Sequence, residues 1–132
     1  MAACAHSFYE VHTGMKTIAL IGDSIRMGYA PVVESILVNQ AHIWEPAING
    51  GDSRHIHHQN KPFDRLEEDV LAYNAAALGI ALSLGIPVND LYVAVMEAGR
   101  DQLLVADGVH FSTQGYQLLG ESVAVHLQPY LG

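Results

Sequence analysis

The stretch IALIGDSIRMGYAP, residues 18–31, decides how the chain is read. Ile18, Ala19, Leu20 and Ile21 belong to a short apolar run that starts at Thr17 and stops at Gly22. Such a run, bounded by glycine, predicts a buried parallel strand over 17–21. Gly22 then permits a sharp turn, and the small side chains around Ser24 leave its hydroxyl open. The same tripeptide recurs in INGGDSRHI, residues 48–56, at the end of a second strand candidate, Ile43–Ile48. A serine at the carboxyl end of a parallel strand stands where α/β sheets bind their ligands.

Working outward, proline at 31 predicts a helix start there. That helix is read over 31–39, with Val32, Val33, Ile36 and Leu37 as its apolar face. Residues 49–63, rich in Gly, His and Asn, read as loop. Asp64 and Glu67 have capping-box spacing. They open a helix over 64–84 whose Leu66, Val70, Tyr73, Ala77, Ile80 and Leu84 recur at helical spacing, and Gly85 ends it. Ile86–Val88 reads as a third strand, 91–98 as a short helix and 99–111 as a loop. A last helix begins at Ser112, with Tyr116, Leu119, Val123 and Leu127 on one face. Strands alternating with helices predict an α/β layered sheet. Residues 1–14 read as an N-terminal extension and 15–132 as a single domain.

The bulk composition narrows the function. With 6 basic and 14 acidic residues the formal net charge is −8, which argues against nucleic acid or an anionic membrane as partner. Cys4 is the only cysteine, so no internal disulfide forms. No apolar run is long enough for a membrane span, and the N-terminus lacks the pattern of a signal peptide, so the expected location is cytoplasmic. HIHH at 55–58 reads as loop rather than metal site, because no acidic or cysteine partner stands at ligand spacing. No metal and no cofactor is expected. Arg26 and Arg54, each shortly after a Gly-Asp-Ser, read as structural or solvated, with contact to a substrate oxygen as the alternative.

A serine hydroxyl needs a base, usually a histidine held in one tautomer by a carboxylate. ADGVHFSTQGY, residues 106–116, offers Asp107 and His110 just before the last helix. Ser24, behind the more apolar strand, is the better nucleophile. An oxyanion needs N–H donors, and Ser24 and Gly51 can supply theirs. On this reading Ser53 is not the nucleophile.

The order of these segments resembles the SGNH (GDSL) hydrolase family. IGDSIRMGY is similar to its first block, with Ser24 as nucleophile. NGGDSRH is similar to its second, with Gly51 as oxyanion donor, and DGVHFSTQGYQLLG to its fifth, with Asp107 and His110. The resemblance covers most of 17–128. It implies a flavodoxin-like three-layer parallel sheet, reduced in strand number, and cofactor-free hydrolysis of small esters, acetylated carbohydrate among them, through an acyl-enzyme. The family's third block, Gly-x-Asn-Asp, has no counterpart: GIPVND at 85–90 lacks glycine two places before its asparagine and follows the long helix. Residues 55–60 read as a join across missing strand–helix units. The alternative is an α/β remnant acting as a binding module without catalysis. A sheet so shortened predicts association into a homo-oligomer.

Overall fold

The computed structural model describes residues 14–50 and 66–132. These form a mixed α/β structure with two parallel strands and five α-helices. The elements are β1 (Lys16–Ala19), α1 (Ser24–Leu37), β2 (Ala41–Trp44), α2 (Glu67–Ser83), α3 (Leu91–Glu97), α4 (Arg100–Leu103) and α5 (Thr113–Leu127). Apart from Gly14, the expected N-terminal extension lies outside the described residues, as does most of the expected 49–63 loop.

β1 and β2 pair in register, Ile18 opposite Ile43 and Ala19 opposite Trp44. Side chains alternate across a strand. Ile18 and Ile43 therefore point to the side where α1 and α5 lie, packing against Leu20, Ala30, Val33, Leu37 and Ala124. Thr17, Ala19, His42 and Trp44 stay exposed on the other face. Val33 and Leu37 are fully enclosed. Burial of such a side chain contributes roughly 1.5–3 kcal/mol. A second cluster, Val95, Leu103 and Leu119, joins α3 and α4 to α5.

α1 starts seven residues before the helix expected at 31, because Asp23 caps it, its carboxylate accepting from the Ile25 N–H at 2.9 Å. Pro31 sits inside the helix, which forgoes one backbone bond there. The buried residues Arg26, Ala30, Val33 and Leu37 form one stripe along it. α1 and α5 run the same way and touch closely. A Cβ on Gly28 would lie 2.1 Å from the Tyr116 ring, and one turn further along both helices a Cβ on Gly120 would lie 2.5 Å from Val32.

Three further expectations are corrected. Ile86–Val88 is not a strand: among the described residues no strand pairs with it, and Ile86 and Val88 are exposed. The second strand ends at Trp44, since Glu45 to Gly50 turn away to meet α1 and Gly22. The helix expected from 64 has Leu66 in its cap position and starts at Glu67, and Asp64 of the expected capping box lies outside the described residues; Glu67 accepts from the Tyr92 hydroxyl and from Arg100 Nη1, the latter at 2.9 Å. Past that tether α2 has no fully buried residue. Gly85, with φ +66°, does end it, and α3 and α5 begin beside Asp90 and Ser112 as read, each cap accepting a backbone N–H.

The close contact at Gly28 and the open space around Gly79 predict opposite outcomes for one substitution. Gly28→Ala should lower stability by about 1–3 kcal/mol through overpacking against Tyr116. Gly79→Ala, with nothing within 4 Å, should raise it, by roughly 0.5–1 kcal/mol. Urea denaturation midpoints check both.

Candidate active site

Ser24 is the first residue of α1, so its N–H has no intrahelical partner and faces outward from the positive end of the helix. His110 stands three residues before α5. The loop that carries it is held at both ends. Val105 N–H donates to the His110 carbonyl at 2.9 Å, Ser112 N–H donates to the Leu103 carbonyl at 2.7 Å, and Leu104 and Phe111 form an antiparallel bridge between them. Leu103 is buried, so this loop is anchored on the second core cluster.

The parallel contact of α1 with α5 brings the two helix starts together. Ser24 Oγ lies 2.9 Å from His110 Nε2, and His110 Nδ1 lies 2.7 Å from Asp107 Oδ2. The turn between Asp107 and His110 depends on Gly108, whose φ of +69° suits glycine. It folds Asp107 Oδ1 back to accept the N–H groups of Val109 and His110, both at 2.8 Å. These bonds hold the Asp107 carboxyl down to about pKa 2, the backbone N–H of His110 contributing most, its side chain next and the Val109 N–H after that. An ionised carboxylate only accepts. Nδ1 therefore carries the proton of the neutral ring, and Nε2 is left to accept from the Ser24 hydroxyl. The side chains of His110 and Asp107 are 42% and 48% exposed, so solvent or substrate reaches the relay.

Of the expected site residues, Ser24, Asp107 and His110 stand together. Gly51 and Ser53, and with them Arg54 and the 55–58 histidines, lie outside the described residues. Gly50, which is described, donates its N–H to the Gly22 carbonyl at 3.0 Å and so ties the 45–50 segment beside the Ser24 turn. Asn89 is no part of this relay: its Oδ1 accepts from Ser122 at 3.2 Å, on the joint between the start of α3 and α5. Arg26 is 3% exposed and has no route to a substrate. Its guanidinium pairs with Glu45, a partner the reading of the sequence missed. The available signal was the stripe 26-30-33-37, which puts Arg26 on the apolar side of its helix, where a cation needs a carboxylate. Among the described residues no group of three or more His, Cys, Asp or Glu could hold a metal ion, and no helix is long and apolar enough to cross a membrane.

No protein-family model, curated protein or solved structure matches this chain.

The bonds around Asp107 predict its titration. Its folded pKa is depressed, so its contribution to stability is complete above the ordinary carboxylate range and is lost as pH falls through about 2. Carboxyl NMR should show Asp107 still ionised where other exposed carboxylates have protonated. His110→Ala should leave most of the depression, since both backbone donors remain. An ordinary Asp107 midpoint in the intact protein would contradict the turn geometry.

Proposed function

We propose that this chain is a serine ester hydrolase of the SGNH type, acting on small carboxylic esters through an acyl-enzyme. The observation that carries the reading is the unbroken relay from Ser24 Oγ to His110 Nε2 and from His110 Nδ1 to Asp107. In the first step the Ser24 oxygen attacks the ester carbonyl carbon while Nε2 takes its proton. The tetrahedral oxyanion collapses, the C–O bond to the alcohol breaks, and the proton on Nε2 passes to the departing alkoxide. Water, deprotonated by Nε2, then attacks the acyl-enzyme; the acyl C–Oγ bond breaks, the acid leaves, and Nε2 returns the proton to Ser24 Oγ. Asp107 holds the imidazole and stabilises its charged form throughout. The Ser24 N–H, at the head of α1, is one oxyanion donor, and Gly51 is proposed as the second. The third-block asparagine is missing, and loss of one such donor typically costs about 10²–10³ in turnover. The enzyme is accordingly slow. None of these steps calls for a cofactor.

In this reading the two strands with α1 and α5 are the reduced form of a flavodoxin-like three-layer sheet. Such a sheet leaves strand edges open. α2 also exposes Leu71, Tyr73, Leu78, Ile80, Leu82 and Leu84. We propose that two chains associate to cover these surfaces, and sedimentation should show a species larger than the monomer at micromolar concentration. A clean monomer with cooperative unfolding opposes this.

A fluorophosphonate probe tests the chemistry. It should label the folded protein, and Ser24→Ala should abolish both labelling and hydrolysis of p-nitrophenyl acetate, while Ser53→Ala keeps most of each. Asp107→Asn should lower turnover by about 10⁴, because an amide there can favour the wrong tautomer. Absence of labelling in folded protein favours the non-catalytic binding module instead.

A further inference from the structure

We infer that Arg26 is a positioning residue: its buried guanidinium holds residues 45–50 against the Gly22–Ser24 turn and so sets the direction of the Ser24 hydroxyl and N–H. This inference rests on the hydrolase reading for its catalytic consequence, but the clamp itself is read from contacts alone.

Arg26 lies in the first turn of α1, two residues after Ser24, and is 3% exposed. Nη1 pairs with the Glu45 carboxylate. Nη2 donates to two carbonyls, Pro46 at 3.1 Å and Ile48 at 3.2 Å. One planar group thus gathers three acceptors from a segment that has left the sheet and has no ladder to hold it. The segment then closes on the nucleophile turn, where Gly50 N–H donates to the Gly22 carbonyl at 3.0 Å. The approach is tight: a Cβ on Gly50 would lie 2.7 Å from that carbonyl oxygen, and one on Gly22 would lie 2.8 Å from the Arg26 Cβ. The peptide that follows Gly22 leads directly into Asp23 and Ser24. Rotation of that peptide would swing both the Ser24 N–H and its Oγ, whose distance to His110 is set to 2.9 Å.

The arrangement is built for position rather than for cheap stability. Arg26 Nε is buried with no partner, and a buried cation carries a desolvation cost that one half-exposed carboxylate only partly offsets. The planar fork is what reaches several acceptors at once, and a lysine keeps the charge but not that geometry. A misplacement of about 1 Å at a reacting group can cost about 10²-fold in rate. Because Arg26 cannot reach substrate, its loss falls on kcat and leaves KM nearly unchanged.

Amide hydrogen exchange and steady-state hydrolysis of p-nitrophenyl acetate are to be measured on Arg26→Lys, Arg26→Met and Glu45→Gln, each first shown to be folded by cooperative denaturation. The Gly50 amide should lose protection in Arg26→Met while the middle of α1 keeps its own. kcat should drop by about 10–10²-fold with KM within about twofold, and Arg26→Lys should recover part of the loss. Glu45→Gln, which keeps both carbonyl bonds but leaves the buried cation without its carboxylate, should lower Gly50 protection less than Arg26→Met does; if Arg26→Met does not fold, Gly50 protection in Arg26→Lys, which keeps the charge and loses the planar fork, reports on the clamp. Unchanged Gly50 protection overturns the clamp whatever the activity does. Lost protection with kcat unchanged overturns the positioning role, as does a rise in KM alone. If the wild-type protein shows no Ser24 labelling, the hydrolase reading and the catalytic half of this inference fall together, and Gly50 exchange still decides the clamp.

Discussion

Close parallel packing of α1 on α5 is the constraint from which the rest follows. The two helices belong to segments far apart in the chain, and each starts beside a residue of the relay. Glycine at 28 and at 120 removes the side chains that would separate them, so Tyr116 and Val32 lie against bare backbone. With that distance and direction set, Ser24 at the head of one helix meets His110 just ahead of the other. A larger residue at either glycine would push the helices apart at the end where a few tenths of an ångström decide whether a hydrogen bond exists.

Two polar devices then orient what the packing brings close, and they work from opposite sides. On the histidine side the turn at Gly108 uses backbone N–H groups to fix one carboxylate oxygen of Asp107, which frees the other to hold the imidazole. On the serine side a buried arginine does the equivalent for the strand-to-helix turn, drawing in the chain that follows β2. The first device is exposed and local; the second is buried and joins separate elements. Local turn chemistry tolerates water, whereas a link across elements holds position best where water cannot compete.

That difference accounts for what could be read in advance. Ser24, Asp107 and His110 were singled out by the order of their segments and its resemblance to a known family, and the turns that carry them are built from glycine, capping residues and polar side chains acting on immediate neighbours. Asp90 and Ser112 likewise mark their helix starts, since a cap is a contact over two or three residues. Pro31 misled the placement of α1 because the capping bond from Asp23 outweighs one missing backbone bond, and the apolar stripe continues through the proline. The Arg26–Glu45 pair joins residues brought together only when β2 lies beside β1, so no spacing announces it. Ile86–Val88 has the composition of a strand, but a strand exists only with a neighbour to bond to, and that information lies in the fold as a whole.

The long helix shows the same limit in the other direction. Its charges sit at Glu67, Glu68 and Asp69, in the first turn, where they suit the positive helix end. From Val70 to Val88 no residue is charged. A helix apolar on every side belongs in an interior, yet this one has no fully buried residue and is tied at its head through Glu67 to Tyr92 and Arg100. Among the described residues no helix covers the exposed face of the sheet, with Thr17, Ala19, His42 and Trp44. A layered α/β domain satisfies both needs by setting helices on both faces of its sheet. Two strands only four residues long present too little surface to cover a helix of 17. The relay is unaffected by this shortfall because its supports, α1, α5 and the first turns beside them, all lie on the covered face. The site and the unsatisfied apolar surface thus occupy different parts of the molecule, which is why a chain with so small a sheet can still carry a fully connected serine–histidine–aspartate relay.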